Sequence, residues 1–524
     1  MCKIFNLQLL DTNNKSGHGE HILISASTLI PRLAQMPSTK FGFVYDERML
    51  EHECLYDDTV EECPERTKLV YERLKKDGLL DGAVEIPARP ATNEEIALGH
   101  PTKIVKQLEN LKTAEECEDF CKSKDFLWLH PNSHKAARLA LGSTIDVLKA
   151  NVEGRIGNAF AIIRPPGHHS YGSFPQGYCI FNNVAIAAKY AVEHLGIKRL
   201  MIADFDLHAG NGTYEILKDD ERILFVSSHL FNYGTFWPYY KEFDCDSKGN
   251  NIFIPFNSAM NTEGDLLAAY NHVVMPIAKE FEPEMVLISA GFDAGYYDVM
   301  LEEGQGIKGH GYGYIAKMLN ELCPNRVLAI FEGGYFWRNY TESAAMMTRG
   351  LKGLSLPKVD HPKRVNGSMC EVIWDNLHHH AKKWNCAKER LEKLQEQQKA
   401  LGLTGYIPRS TKLFLAHGFR EHLDFVRDSG CLRTREWLPK INATQQALAF
   451  DKIEEYVKTY KFSTEMTKLS EEDELKQLVW DEQTASDCFL RNARACMKTH
   501  DYFKNYLDSK DAVYECFDKK NLEG

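Results

Sequence analysis

Five short apolar runs mark the middle of the chain, and each gives way at its carboxyl end to glycine or to chemically able polar residues. Ala159-Phe160-Ala161-Ile162-Ile163 leads into Arg164-Pro165-Pro166-Gly167-His168-His169. Leu200-Met201-Ile202-Ala203 leads into Asp204-Phe205-Asp206-Leu207-His208-Ala209-Gly210-Asn211-Gly212. The run at 223–226 ends in Ser227-Ser228-His229, that at 285–288 in Ser289-Ala290-Gly291-Phe292-Asp293, and that at 327–331 in Glu332-Gly333-Gly334-Tyr335. Runs of this length with such punctuation predict fully buried strands. Helical patterns separate several of them; Asn183 is the predicted cap of a helix over 184–195 that Gly196 ends. Alternating strands and helices predict one large open parallel sheet flanked by helices. Sites in such sheets lie outside the carboxyl ends of the strands. The pattern therefore brings His168, His169, Asp206, His208, Asp293 and Tyr335 together despite their wide spacing.

The flanks are less strongly patterned. Residues 1–40 carry no clear signal, 41–45 read as a strand, 68–76 as a helix, 86–92 with two prolines as a strand edge or loop, and 133–152 as a helix. After about 355 the pattern becomes helical: 370–393 reads as helix, Ala449, Ile453, Tyr456, Val457 and Tyr460 follow helical spacing, and Ser470 with Asp473 resembles a capping box. The expected domains are an N-terminal segment (1–40), a catalytic α/β domain (41–385) and a helical C-terminal extension (386–524), packed on the core or available to a protein partner. With 524 residues the chain exceeds what one ordinary core serves.

Composition narrows the class. The 14 cysteines form no Cys-x-x-Cys pair, which suits a reduced intracellular protein. No secretory pattern opens the chain and no run approaches about 18 apolar residues, so neither secretion nor a membrane span is expected. A net charge of -11 argues against direct nucleic-acid binding. Lys363-Arg364 is too short for an import signal, so nucleus and cytoplasm both stay open.

Asp204 and Asp206 alternate with Phe205, so an extended backbone points both carboxylates to one side, and His208 follows at the same period. Such groups at a buried strand end are costly unless compensated, and a divalent cation compensates them. Asp206, His208 and Asp293 are the candidate ligands, with the open position that a catalytic zinc requires. Two carboxylates among three ligands leave Fe(II), Co(II) or Mn(II) open as well. His168 and His169 supply a base and an electrostatic partner, and Asp204 and Asn211 are placed to orient them. Tyr335, after two glycines, is the candidate oxyanion donor. This set is that of a metal-assisted amide hydrolase.

At these residues the chain resembles the zinc-dependent histone deacetylases of the arginase/deacetylase fold. The matching motifs lie at 164–169, 177–179, 204–212, 289–294 and 332–335, and the likeness covers roughly 40–385. Tyr45-Asp46-Glu47-Arg48, Pro64-Glu65-Arg66 and Asn211 resemble the class II branch. The resemblance implies zinc-dependent hydrolysis of acetyl-lysine in histones or other proteins, and with it a role in chromatin and transcription. It implies that Tyr178 and Trp237 line a tunnel around the acyl-lysine stem, that the Gly177 carbonyl accepts from the acyl amide, and that Met300 and Asn132 sit at the rim. It further implies a structural potassium ion near Asp204, Asp206, His208, Ser227 and Ser228. Three features depart from the family: Ala209 replaces a second histidine, Tyr178 and Trp237 replace phenylalanines, and 301–311 departs from the usual rim pattern. Acetylpolyamine deacetylation is the alternative that an acidic rim at Glu302 and Glu303 would favour. A catalytically weak acetyl-lysine-binding scaffold is disfavoured by the intact Tyr335.

Overall fold

In the computed structural model the apolar runs form one eight-stranded sheet in which every pairing is parallel. The structure describes residues 38–57, 60–234, 236–258, 260–296, 298, 305–409, 443–465 and 469–492. In chain order the strands are β1 (Gly42–Val44), β2 (Val84–Glu85), β3 (Ala159–Ala161), β4 (Leu200–Asp204), β5 (Ile223–Leu230), β6 (Asn251–Phe256), β7 (Met285–Ala290) and β8 (Val327–Phe331). Across the sheet they run β2-β1-β3-β8-β7-β4-β5-β6. The five strands predicted from apolar runs are thus the five contiguous central ones. Burial on both faces makes their sequences continuously apolar. β6 escaped prediction because Pro255 interrupts its run; as an edge strand it tolerates a residue without an N–H.

Three local expectations are corrected. Asn182, not Asn183, caps the helix Asn183–His194, accepting from Ala185 N at 2.9 Å. Asn183 instead donates to Pro165 O at 3.2 Å and steadies the histidine-bearing turn. β5 does not stop before Ser227 but runs on to Leu230, because β6 pairs with it through Leu230↔Phe256. The helix read over 370–393 is two, Gly367–His380 and Asn385–Ala400. The Glu280 carboxylate accepts from Asn385 N (3.0 Å) and Cys386 N (2.8 Å) and so starts the second one.

Beyond 385 the described segments share the main core. Leu391, Leu394, Tyr406 and Leu478 join the apolar cluster that contains Ile288 and Trp374. Trp374 Nε1 donates to Leu478 O at 2.9 Å. The helix Ala443–Lys458 lays Ala449 and Ile453 against Phe336, and β9 (Leu356–Pro357) pairs antiparallel with β10 (Phe462–Ser463). Ser470 caps the helix Glu471–Gln477 through Asp473 N. No described helix is long and apolar enough to cross a membrane.

Buried imidazoles give the fold a predictable acid response. His100 Nε2 accepts from Asn182 N (3.0 Å) while its Nδ1 donates to Gly172 O (2.8 Å). His229 Nε2 donates to Phe243 O at 3.0 Å. Burial pulls both down to about 4. The folded pKa lies below the unfolded value near 6.5, so stability is full above that value and is lost as pH falls toward 4. Each imidazole contributes on the order of 3 kcal/mol across that window. Thermal melting is expected to drop steeply between pH 6.5 and 4.5; a flat midpoint over that range would refute the assignment.

Candidate active site at the carboxyl edge of the sheet

The site begins where β4 ends. Asp204 closes the strand, and its Oδ1 accepts from Asp206 N at 3.1 Å, turning the chain so that Asp206 and His208 face the same space. Asp206 accepts from His208 N (2.9 Å) and from Gly333 N (2.9 Å). Asp293, beyond the end of β7, accepts from Leu207 N at 2.7 Å. His208 Nδ1 lies 3.2 Å from Asp206 Oδ1 and 3.0 Å from Asp293 Oδ2. The ligand-capable atoms of these three residues all lie within 4.8 Å of one another.

That cluster fits a divalent cation. Burial, then the neighbouring Asp206, pushes the Asp293 carboxyl up to about 6. The backbone also makes room for the carboxylates. A Cβ on Gly333 would stand 2.4 Å from Asp206 Oδ2 and 2.9 Å from Asp293 Oδ2, so no larger residue fits there.

The two histidines are distinguished by their partners. His168 Nδ1 lies 3.0 Å from Asp204 Oδ2, and His169 Nδ1 lies 2.7 Å from Asn211 Oδ1. Their rings are 3.9 Å apart and both are buried. For His168, burial works against the charged form, but Asp206 and Asp204 prevail and push it up to about 10. Burial, then His168 and His208, hold His169 well below its ordinary value. The carboxylates beside His168 favour its charged form, whereas His169 is held toward the neutral form. In that form the His169 Nδ1–H is donated to Asn211, leaving Nε2 to accept a proton.

Tyr335 enters from the end of β8. Its backbone N, and that of Phe336, donate to Asp298 Oδ2 at 2.9 and 3.1 Å. Burial keeps its hydroxyl well above the ordinary phenol value, so it remains a donor. Arg66 lies over the ring, with Cζ 4.8 Å from the centroid, and Arg66 Nε donates to Gly334 O at 2.7 Å.

Two acidic residues given no role in the sequence reading support this arrangement. Glu62, fully buried, accepts from Arg66 Nη1 (3.0 Å) and Arg164 Nη2 (2.8 Å). Glu332 Oε2 accepts from Gly167 N (2.7 Å) and His168 N (3.2 Å), tying the histidine turn to the tyrosine turn. The one sequence signal was a carboxylate at the end of an apolar strand; its partner lies over 160 positions away.

Aromatic side chains flank the ligands. Trp237 meets His169 edge-on at 4.5 Å, and Phe236, also unassigned from sequence, stacks near His208 at 5.2 Å. Tyr178 stands 5.8 Å from Tyr335, with its hydroxyl 3.5 Å from Glu61 Oε2. Gly177 has φ +56°, and a Cβ there would lie 2.5 Å from His169 and 2.9 Å from Trp237. Asn132 precedes the helix Ser133–Val152, bonded to Glu51 (3.0 Å) and Lys135 (2.9 Å). Ser227 pairs in register with Asp204, and Ser228 follows it, both buried. Met300, Glu302 and Glu303 lie outside the described residues.

Comparison with known proteins gives a consistent result. The histone deacetylase domain family matches residues 60–351, more than half of the chain. Polyamine deacetylase HDAC10 of Mus musculus is 35% identical over 327 residues, covering 60% of this chain and 49% of the relative. Histone deacetylase clr3 of Schizosaccharomyces pombe is 35% identical over 366 residues, covering 66% of this chain and 52% of the relative. The chain spans about half the length of the curated relatives it matches. The crystal structure of the HDA15 HD domain superposes with a TM-score of 0.60 at 30% identity, covering 68% of this chain and 98% of that one. With the family model matching more than half of the chain and that structural superposition, the chain belongs to the zinc-dependent histone deacetylase family, on its class II branch.

Proposed function

We propose that this protein is a zinc-dependent lysine deacetylase that hydrolyses the acetyl amide of acetyl-lysine in histones or other proteins. One observation carries the reading: Asp206, His208 and Asp293 converge within 4.8 Å beside a buried histidine pair. When bound there, zinc supplies a Lewis acid for the acetyl carbonyl and for water. His169 Nε2 removes a proton from the water as its oxygen bonds to the acetyl carbon. His168, held by Asp204, stabilises the developing negative charge, and the Tyr335 hydroxyl donates to the oxyanion. The C–N bond then breaks, and the proton returns from His169 to the leaving amine. Trp237 and Tyr178 exclude water and bury the methylene stem at about 0.8 kcal/mol per methylene. Asp204, Asp206 and His208 with Ser227 and Ser228 suit a structural potassium ion, in part through backbone carbonyls. A nuclear or cytoplasmic setting, and protein partners for 386–524, belong to the same reading.

A second reading is deacetylation of an acetylpolyamine. Relatives named polyamine deacetylase favour it, as does the Glu61 carboxylate beside the Tyr178 hydroxyl, which would attract a second cationic amine. Purified protein should be assayed on acetyl-lysine peptides and on acetylspermidine, with and without a zinc chelator. Peptide turnover lost on chelation and restored by zinc supports the first reading. Preferential acetylspermidine turnover supports the second. Chelator-insensitive turnover, or none of either substrate by zinc-loaded protein, would overturn both.

A further inference from the structure

The extension beyond residue 386 also meets the segment after β5, at Tyr233. After β5, residues 231–234 lead toward Phe236 and Trp237, which face His208 and His169. Within that stretch, Asn232 (φ 45°) and Tyr233 (φ 54°) adopt left-handed backbone conformations. Such a conformation is unfavourable for an L-residue and persists only where the surroundings enforce it. Tyr233 is buried, and its backbone N donates to Asn257 Oδ1 at 2.9 Å, which anchors the loop from the sheet side.

The other side of Tyr233 is held by residues far along the chain. Its hydroxyl donates to Glu371 Oε2 at 3.0 Å and accepts from Asn492 Nδ2. Arg409 lies over its ring, with Cζ 4.8 Å from the centroid. Arg409 is itself fixed: its backbone N donates to Asp375 Oδ1 at 3.0 Å, and its Nη2 to Asp244. Tyr406 donates to the same Asp375 oxygen at 2.7 Å. A cation held against an aromatic face and shielded from solvent is attracted to the ring. That contact helps to hold the left-handed backbone at Tyr233.

We propose that Arg409 and Asn492 are positioning residues: by clamping Tyr233 they hold the loop that carries Phe236 and Trp237, and so set the tunnel wall and the acyl stem it accepts. The clamp rests on contacts alone; its effect on substrate rests on the deacetylase reading above. An aromatic wall displaced by even an ångström loses contact with the stem, but the proton-transfer groups keep their own anchors on Asp204, Asn211 and Asp298. The effect should fall on KM and on acyl-chain preference rather than on kcat.

Hydrogen–deuterium exchange on the full chain tests the clamp without reference to activity. Amides of residues 232–234, 236 and 237 should exchange at least tenfold faster in Arg409→Ala and Asn492→Ala, and stay protected in Leu394→Ala, which removes core packing in the same extension. Steady-state kinetics then test the consequence. KM for an acetyl-lysine peptide should rise at least fivefold in both clamp variants with kcat within twofold, the acetyl-to-butyryl preference should change, and Arg409→Lys should restore most of both. If Arg409→Ala does not fold, Asn492→Ala and Tyr233→Phe, of which the second removes only the hydroxyl, carry the test. Loop exchange unchanged in the clamp variants, or raised equally by Leu394→Ala, would overturn the clamp. Raised exchange with unchanged KM and preference would overturn its role in the tunnel. A wild-type protein that turns over no acyl substrate would defeat the deacetylase reading and leave the exchange result to stand on its own.

Discussion

Replacing Tyr335 by phenylalanine is expected to lower kcat for deacetylation at least ~100-fold, with zinc content and KM nearly unchanged. A donor aimed at a developing oxyanion contributes about 3–4 kcal/mol, and each 1.36 kcal/mol is tenfold in rate. Everything else about the residue survives the change. The backbone anchors to Asp298 at 2.9 and 3.1 Å involve main-chain N–H groups, and Arg66 packs on the ring face rather than on the hydroxyl. The loss should therefore appear only when the carbonyl oxygen becomes an oxyanion, which is the signature of a fall in kcat at constant KM. A Tyr335→Phe enzyme retaining a tenth or more of wild-type kcat would remove Tyr335 from the mechanism.

The second large effect is expected at Asp206. Asp206→Asn keeps the shape of the side chain but removes the charge on which both metal affinity and the histidine pair depend. His208 Nδ1 and Asp293 would remain, 3.0 Å apart, as only two of the three ligands. Bound zinc should fall to less than a tenth of one equivalent in dialysed protein. Activity should fall at least ~1000-fold, since Lewis-acid stabilisation is worth several kcal/mol. The same residue accepts from Gly333 N at 2.9 Å, so the glycine turn before Tyr335 also loosens. Metal analysis beside the rate separates the two causes. Full zinc occupancy with activity within tenfold of wild type would remove Asp206 from the ligand set.

The candidate catalytic residues lie close to one another because of where their strands end, and that much is local in origin. A parallel strand covered on both faces must be apolar throughout, so β3, β4, β5, β7 and β8 stand out as runs without any knowledge of their neighbours. Polar residues placed where each run ends mark the carboxyl edge, and the handedness of crossovers brings those ends to one side. His168, His169, Asp206, His208, Asp293 and Tyr335 were legible on these grounds alone, as were the partners Asp204 and Asn211. Short-range hydrophobicity fails where a strand is two residues long, as in β2, or carries a proline at an edge, as in β6.

Other features exist only as long-range pairings. Glu332 binds the histidine turn 164 and 165 positions away, and Arg66 reaches Gly334 across 268. Glu62 has Arg66 four positions on, but nothing in its spacing announces Arg164, 102 positions away. The opposite shifts of His168 and His169 follow from which carboxylate or amide faces each ring, a choice that two adjacent identical residues cannot encode locally. Tyr233 reads as one more aromatic in a loop until Arg409 and Asn492 are seen against it. The sequence by itself determined the sheet, the edge at which chemistry occurs and the residue types gathered there, because those follow from periodicity and burial along single strands. The tertiary structure alone decided how the residues are oriented, charged and held, because those depend on contacts between segments that no local pattern links.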